Sequence, residues 1–523
     1  MRLPITSHRS GTASTGDLLN CYLESMPQDA SAPYVIRRCP GMISPWVAEP
    51  PESGTTAERN AYLDEAGNER TGTGDSSHDF NSPILAITNY RGYLSGIYGD
   101  THNFGIVNFD DDYAPNLTSF DGLMGGGESD ILNPNPRADF EQTPDYLIAV
   151  IEPHAYYSAN ASSWTKISDS DFTSRGAADV EFLDNFLIFR EPGSARFFAS
   201  DIGSVTDYSA LNFGTAEADP DNLVGMKSDR AQLWLFGESS IESWDTTGGS
   251  DFPFRRTING AITKGCLSGR TVQRLDDVIL FLADDFTVRA LQGGVANRIS
   301  NFGIEQSLQA DTSVKLSEGF TWSYQGHNYY AIWTPNQCHV YDLSTGSWHR
   351  RQTLGRDTWR FTSAAQYYND VVFGDRLGAL TVTLGSDSLP PNYQGGKFSE
   401  EPSYYGLELH QPQRMEWTYQ PIRNGQRMYH KRLEIIVDVE PGTVATSTHA
   451  RREPMVTLES SDDGGVTFQP LAQRSMGAVG DRYQRLVWHN LGSSYNRVYR
   501  ASVSEAAKVE VVDTTLDAVG GSV

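Results

Sequence analysis

Five strand–turn–strand segments recur along the middle of this chain at nearly constant spacing, and that repeat restricts the fold more than any other feature. They read VEFLDNFLIFR, MKSDRAQLWLF, VQRLDDVILFL, FTWSYQGHNYYAIW and AAQYYNDVVFG. Their turn residues, Asn185, Asp229, Asp276, Gln325 and Asn369, lie 44, 47, 49 and 44 residues apart. A second turn follows each of them, at Pro192, Glu238, Asp284, Pro335 and Asp375. The flanking residues alternate or run apolar and are rich in Val, Ile, Phe, Tyr and Trp, the chemistry of half-buried strands. Each unit therefore holds at least three strands in a meander, with the period of propeller blades. Fainter units at ITNYRGYLSGIYG and DYLIAVIEPHAYYS precede them. The expected fold is all-β: a propeller of about five to seven blades over residues 81–385, whose closure can borrow a distant strand. A turn or two of helix is expected at QSLQAD.

Within one unit, LWLFGESSIESWDTTGGSDFPF places Trp234, Phe236, Trp244, Phe252 and Phe254 close together. A blade packs face-on against two neighbours, so both of its faces need large flat side chains. Trp234, Phe236 and Trp244 are accordingly read as filling between blades. Gly248 and Gly249 are expected to turn the chain towards the next blade.

With 523 residues the chain is too long for one ordinary core. Residues 1–47 are expected to contribute to the propeller or to ring contacts, and the polar, aliphatic-poor segment 48–80 to be a loop insertion. Beyond the linker SDSLPPNYQGG, regularly spaced strands such as RLEIIVDVE and AKVEVVDTTL point to a β-sandwich-like domain over 386–523. The net charge of −25 argues against a surface that coats nucleic acid. The acidity is regional. Residues 100–150 carry ten Asp/Glu against one Arg, whereas 421–500 carry eleven Lys/Arg against eight Asp/Glu. The opening residues lack the apolar segment of a signal peptide, and no apolar run is long enough to span a membrane.

Catalytic patterns are missing. GESSI at Gly237 lacks the second glycine of a nucleophile elbow, and there is no phosphate loop, HExxH or HxH. Cys21, Cys39, Cys266 and Cys338 form no CxxC and read as buried free thiols. Asp110, Asp111 and Asp112 offer carboxylates for calcium, but the spacing of a calcium loop is absent, which favours a solvated acidic loop. Asp284 and Asp285 fall where a hairpin turn is expected. Ser461-Asp462-Asp463-Gly464-Gly465-Val466-Thr467-Phe468 fits the Asp-box hairpin known from sialidase propellers. Its aspartate would accept turn amides, its glycines supply positive φ, and its aromatic ring staple the strands. It occurs once, outside the propeller, so its expected role is structural. No catalytic, cofactor or metal residue is expected, and the chain is not expected to be an enzyme. The alternative is a carbohydrate-binding or sialidase-like propeller.

FGESSIESWDTTGGSDFPF followed by INGAITKGCLSG resembles the signature of the packaged-DNA stabilisation, or tail nozzle, proteins of short-tailed bacteriophages. Further landmarks fall in order: LLNCYLESMP, RRCPGM, CHVYDLSTGSWHRR, VVFGDRLGAL and MGAVGDRYQRLVWHNLGSSYNRVYRASV. The resemblance runs from about Asn20 to the C-terminus and is weakest over 48–145. It implies a structural virion protein, assembled in the host cytoplasm as a six-fold ring below the portal and its adaptor. Such a ring would retain packaged genome, meet a tail needle, fibres or tailspikes, and pass DNA without sequence-specific binding. An acidic lumen suits that passage, because it repels phosphates and offers no counterion-releasing grip. The basic residues Arg423, Arg427, Lys431, Arg432, Arg451 and Arg452 are then read as a subunit or adaptor docking face.

Overall fold

In a computed structural model, the chain is described over residues 17–26, 34–43, 84–99, 104–109, 115–119, 138–216, 219–248, 252–367, 370–375, 380–383, 407–408, 411–440, 454–477, 483–505 and 507–520. Asn369, Gly249, Asp110–Asp112, Arg451, Arg452 and the 48–80 segment lie outside these residues.

Among the described residues the repeat forms seven antiparallel blades of four strands, six of them meanders. Blades 1 to 5 cover residues 84–119, 138–166, 179–215, 223–262 and 273–298, each a separate sheet. Blade 6 covers 318–350, and blade 7 consists of 361–383 plus a strand from far upstream, Met42–Ile43, which pairs with Leu380–Thr383. Inner strands contact in succession from Ile84–Tyr90 around to Phe361–Tyr367, which returns to Ile84–Tyr90 and closes the circle. Seven separate apolar cores fill the seven gaps between blades. The borrowed closing strand meets the expectation, and the blade number sits at the top of the expected range.

The turn residues explain the hairpins. Asp184, Asn185, Arg230, Asp276 and Gln325 all have positive φ, between 48° and 67°, which tight two-residue connections require. In blade 4, Gln232–Gly237 alternates faces. Leu233 and Leu235 join the core against blade 3, while Trp234 and Phe236 join the core against blade 5. Phe236 meets Phe281 edge-on at 5.2 Å, and Trp244 meets Phe197 at 5.0 Å. These aromatic side chains fill the gaps between blades, as their clustering predicts.

One expectation needs correction. Gly248 (φ +64°) does not carry the chain to blade 5. It lies between Ile241–Thr246 and a fourth strand of the same blade, Phe254–Ile262, with Thr246 opposite Phe254. The sequence FRRTINGAI hides this strand because an outer edge strand has one open side and needs little apolar alternation. Phe302–Ala310 forms a helix overlapping QSLQAD, capped by Asn301, whose side chain accepts from Ile304 N at 3.1 Å.

The C-terminal strands form two sheets over a shared core that includes Trp417, Leu433, Ile435, Leu458, Trp488 and Tyr499. Ser493–Val503 serves both sheets, pairing with Ile422–Glu440 at one end and with Met415–Thr418 and Met455–Ser461 at the other. The N-terminal residues stitch this body to the propeller. Leu18–Leu19 pairs in parallel with the outer strand of blade 6 and antiparallel with Met415–Thr418, so one sheet runs from blade into sandwich. Tyr34–Arg38 adds to Lys508–Gly520.

Candidate functional site

Propellers present their inner strands to a common axis. Here the inner strands of blades 1, 2, 4, 5, 6 and 7 line a cavity of about 230 Å3 whose wall includes Asp139, Lys227, Arg270, Glu318 and Thr362. Arg270 bonds to Glu318 at 3.1 Å. Lys227 Nζ lies 2.5 Å from Glu181 Oε1, and the other oxygen of Glu181 accepts from Ser228 N and Oγ at 2.8 and 2.7 Å. Arg274 donates to Ser228 O at 3.1 Å. Blades 3, 4 and 5 are thus linked through charged or hydroxyl side chains near the axis.

Glu141, on blade 2, completes this group. Burial and the neighbouring Glu181 carboxylate push its carboxyl up to about 8, against the pull of Lys227, with Asp139 adding to the rise. Burial alone would lower Lys227, but Glu181, Asp139 and Glu141 outweigh it and hold the ammonium charged above its ordinary range. Three carboxyl groups therefore share one lysine, and a proton on Glu141 relieves their repulsion.

A second polar group sits at the seam between propeller and sandwich. His327 of blade 6 contacts Asp342 through Nδ1 at 2.7 Å and Glu24 of the strand Cys21–Ser25 through Nε2 at 3.1 Å. Burial would lower the imidazole, yet the bonds to the two carboxylates raise it. In a hydrolytic triad the Nε2 side belongs to the nucleophile; here Glu24 occupies it. Asn20, buried and with φ +53°, ties the same seam: its side-chain amide donates to Gln352 O at 3.0 Å and Arg414 O at 2.9 Å, and its carbonyl oxygen accepts from Gln352 N at 3.0 Å. The four cysteines are free and buried, and burial raises Cys21, Cys39 and Cys338, which disfavours reactive thiolate.

The residues singled out by sequence fall as follows. Asp285 accepts from Thr287 N at 3.2 Å and pairs with Lys264 at 2.8 Å and Arg289 at 3.1 Å in a hairpin turn. Burial opposes its ionisation, but these bonds win and hold it low. The Asp-box closes as its chemistry suggests. Asp463 accepts from the amides of Val466 and Thr467 at 2.9 and 3.0 Å, while Gly464 and Gly465 have φ of +87° and +97°. Asp462 pairs bidentately with Arg497 at 2.6 and 2.7 Å, and Arg500 stacks over Phe468 at 3.8 Å. In the basic group, Arg423, Arg427 and Lys431 are exposed, while Arg432 lies 3.7 Å from Glu434. Sequence reasoning missed the Glu141–Glu181–Lys227 group. Its signal is a charged residue within the first strand of three successive units, a strand otherwise marked by its apolar residues.

Among the described residues no group of His, Cys, Asp or Glu is arranged to hold a metal, and no helix is long and apolar enough to cross a membrane. Fold and axis define the class: an all-β propeller protein, its neighbouring blades linked near the axis by charged pairs. Residues 134–387 match the family model described as Bacteriophage P22 Gp10, beta-propeller, so the chain is similar to that family through its propeller. The chain is 24% identical over 246 residues to the tail hub protein gp10 of Salmonella phage P22, covering 43% of this chain and 51% of that protein. It thus spans about half the length of that relative. Among solved structures, it is similar to BamB from Moraxella catarrhalis, with 13% identity and a TM-score of 0.35, covering 58% of this chain and 84% of that one. The computationally designed Ika8 protein gives 12% identity and a TM-score of 0.33, covering 58% and 97%.

Proposed function

We propose that this protein is a structural hub or nozzle of a short-tailed phage tail. It forms a ring, six-fold by the family resemblance, below the portal and adaptor, retains packaged DNA and offers it an acidic channel at ejection. The observation that carries this reading is the match of the propeller to a phage tail family. Two physical features support it. The propeller and sandwich share a sheet through Leu18–Leu19, which suits a part that must transmit load without hinging. A net charge of −25 repels DNA, so passage needs no release of a long series of phosphate contacts. The ring would meet a needle, fibres or tailspikes on its outer faces, and the virion is its place of action.

The protein acts without catalysis in this reading. Lys227 and Arg270 at the axis are held by carboxylates, and the buried His327 has a carboxylate on each side. The Asp-box gives no support to a glycosidase, since Asp463 is committed to turn amides. Native mass spectrometry of the purified chain, alone and with its adaptor, tests the assembly. A closed multimer of about six copies is expected. A chain that stays monomeric and ignores the adaptor contradicts the reading, as would turnover of a fluorogenic sialoside.

A further inference from the structure

A line of alternating charge runs from blade 6 into the sandwich through the N-terminal strand pair Cys21–Ser25 and Tyr34–Arg38. Asp342 holds His327 Nδ1 at 2.7 Å, and His327 Nε2 lies 3.1 Å from Glu24 Oε2. The same Glu24 oxygen accepts from Arg37 Nη1 at 3.0 Å. Arg37 Nε in turn lies 3.0 Å from Glu510 Oε1 on the strand Lys508–Gly520, directly opposite in the sheet. His327 and Asp342 are buried, while Glu24, Arg37 and Glu510 are partly exposed. The start of this N-terminal segment is pinned by backbone: Leu18–Leu19 pairs with blade 6, and Asn20 N donates to Arg350 O at 2.9 Å. Among the described residues, Cys21–Ser25 pairs as a strand only with Tyr34–Arg38, so the Glu24 end is held to blade 6 by side chains.

A neutral imidazole has one N–H and one lone pair, so it can donate to one carboxylate only. Both ring nitrogens of His327 face carboxylate oxygens. Asp342 is committed as an acceptor, since Thr345 Oγ1 also donates to it at 2.8 Å and Ser344 N at 2.9 Å. The Arg37 guanidinium on the Glu24 oxygen disfavours a proton there. The geometry is therefore satisfied when His327 is the imidazolium, donating to both sides. The other groups around it do not supply that charge change. Tyr22 meets the ring edge-on at 5.1 Å, Tyr329 stacks on it at 5.7 Å, and Tyr324 lies opposite it in the sheet. Burial raises the Tyr22 and Tyr329 phenols and the nearby Cys39 thiol, keeping them neutral. Burial and the Arg351 guanidinium push His349 down to about 3, so it too is neutral. Of the five side chains in the line, histidine is the type whose charge ordinarily changes near neutral pH.

We propose that His327 is a protonation-controlled clasp, which fixes the Glu24 end of the N-terminal strand pair to blade 6 and, through Arg37 and Glu510, tightens the sandwich onto the propeller. The clasp works within one chain, so it stands apart from the ring reading above. Burial opposes charge on His327, but its bonds to Asp342 and Glu24 outweigh burial and raise it. The clasp is accordingly closed below about 6.5, the ordinary histidine value, and opens as pH rises through the raised one. When the proton leaves, Nε2 presents a lone pair to Glu24, and attraction turns to repulsion. The Glu24 end is then released while Leu18–Leu19 stays paired.

The test is hydrogen–deuterium exchange of the full-length chain at pH 6 and pH 9, corrected for the intrinsic rate. Segments 21–25 and 34–38 are expected to exchange at least about three-fold faster at pH 9, relative to Val278–Leu282 of blade 5. A His327→Gln chain keeps an amide at the site but cannot titrate, and is expected to show the faster exchange at both pH values. Independently, nuclear magnetic resonance of chains with 13C-labelled histidines reads the titration of His327, its signal assigned by displacement in Glu24→Gln. Its midpoint is expected above about 6.5 and is expected to fall in Glu24→Gln. Equal exchange of the wild type at both pH values, a His327 midpoint at or below that value, or pH dependence retained in His327→Gln would each overturn the clasp. Should His327→Gln fail to fold, the wild-type exchange and the two midpoints still decide.

Discussion

Asn20 shows how much a single side chain can hold. Its amide spans blade 6 and the sandwich, satisfying carbonyls of Gln352 and Arg414 that are distant from it in sequence. Asn20→Ala leaves both carbonyls without that donor, at a cost of about 1–3 kcal/mol for each group left buried and unpaired. Urea denaturation should show a lower midpoint. Glu141 gives a pH signature. A carboxyl whose folded value exceeds its unfolded one keeps a proton in the native state that the unfolded chain has released. Stability is therefore full below about 4.5 and falls as pH rises towards about 8, with a slope of at most about 1.4 kcal/mol per pH unit. Asp311 and Asp342 act in the opposite sense. Burial opposes their ionisation, but hydrogen bonds hold both below the ordinary aspartate range, so their contribution is lost as pH falls into and below it. Glu141→Gln should flatten the decline above pH 4.5 and leave the acid limb alone, as thermal melts across pH would record.

Blades are held by what lies between them. Trp244 is 9% exposed and packs edge-on against Phe197 of blade 3, so Trp244→Ala opens a cavity between blades and should cost about 3–5 kcal/mol. Calorimetry should show this as a lower melting temperature. Such contacts were legible in sequence, because alternating aromatics at a fixed period have few other uses. The inner three strands of most blades could be read for the same reason. Outer strands could not: Phe254–Ile262 is an edge whose exposed positions, Ile258 among them at 87%, obey no alternation. Nor could the stitching by residues 17–26 and 34–43 be read, since Leu19 pairs with Arg350 and Ile43 with Val382, and no local pattern encodes partners so remote. The axial charges were hidden differently. Glu141, Glu181 and Lys227 each look like an ordinary polar residue in a strand until the ring brings them together.

The molecule joins a propeller to a sandwich through shared strands, with basic residues concentrated on the sandwich and a strongly acidic total charge. A tail part that only frames a passage needs stiffness, self-association and a wall that repels phosphate. Imaging the assembled tail by electron cryomicroscopy, at a resolution that places side chains, measures all three at once. Copies of this chain should close into a ring whose lumen is lined mainly by Asp and Glu. Finding the chain as isolated peripheral copies, or its lumen lined by Lys and Arg that grip the duplex, would contradict the proposed role.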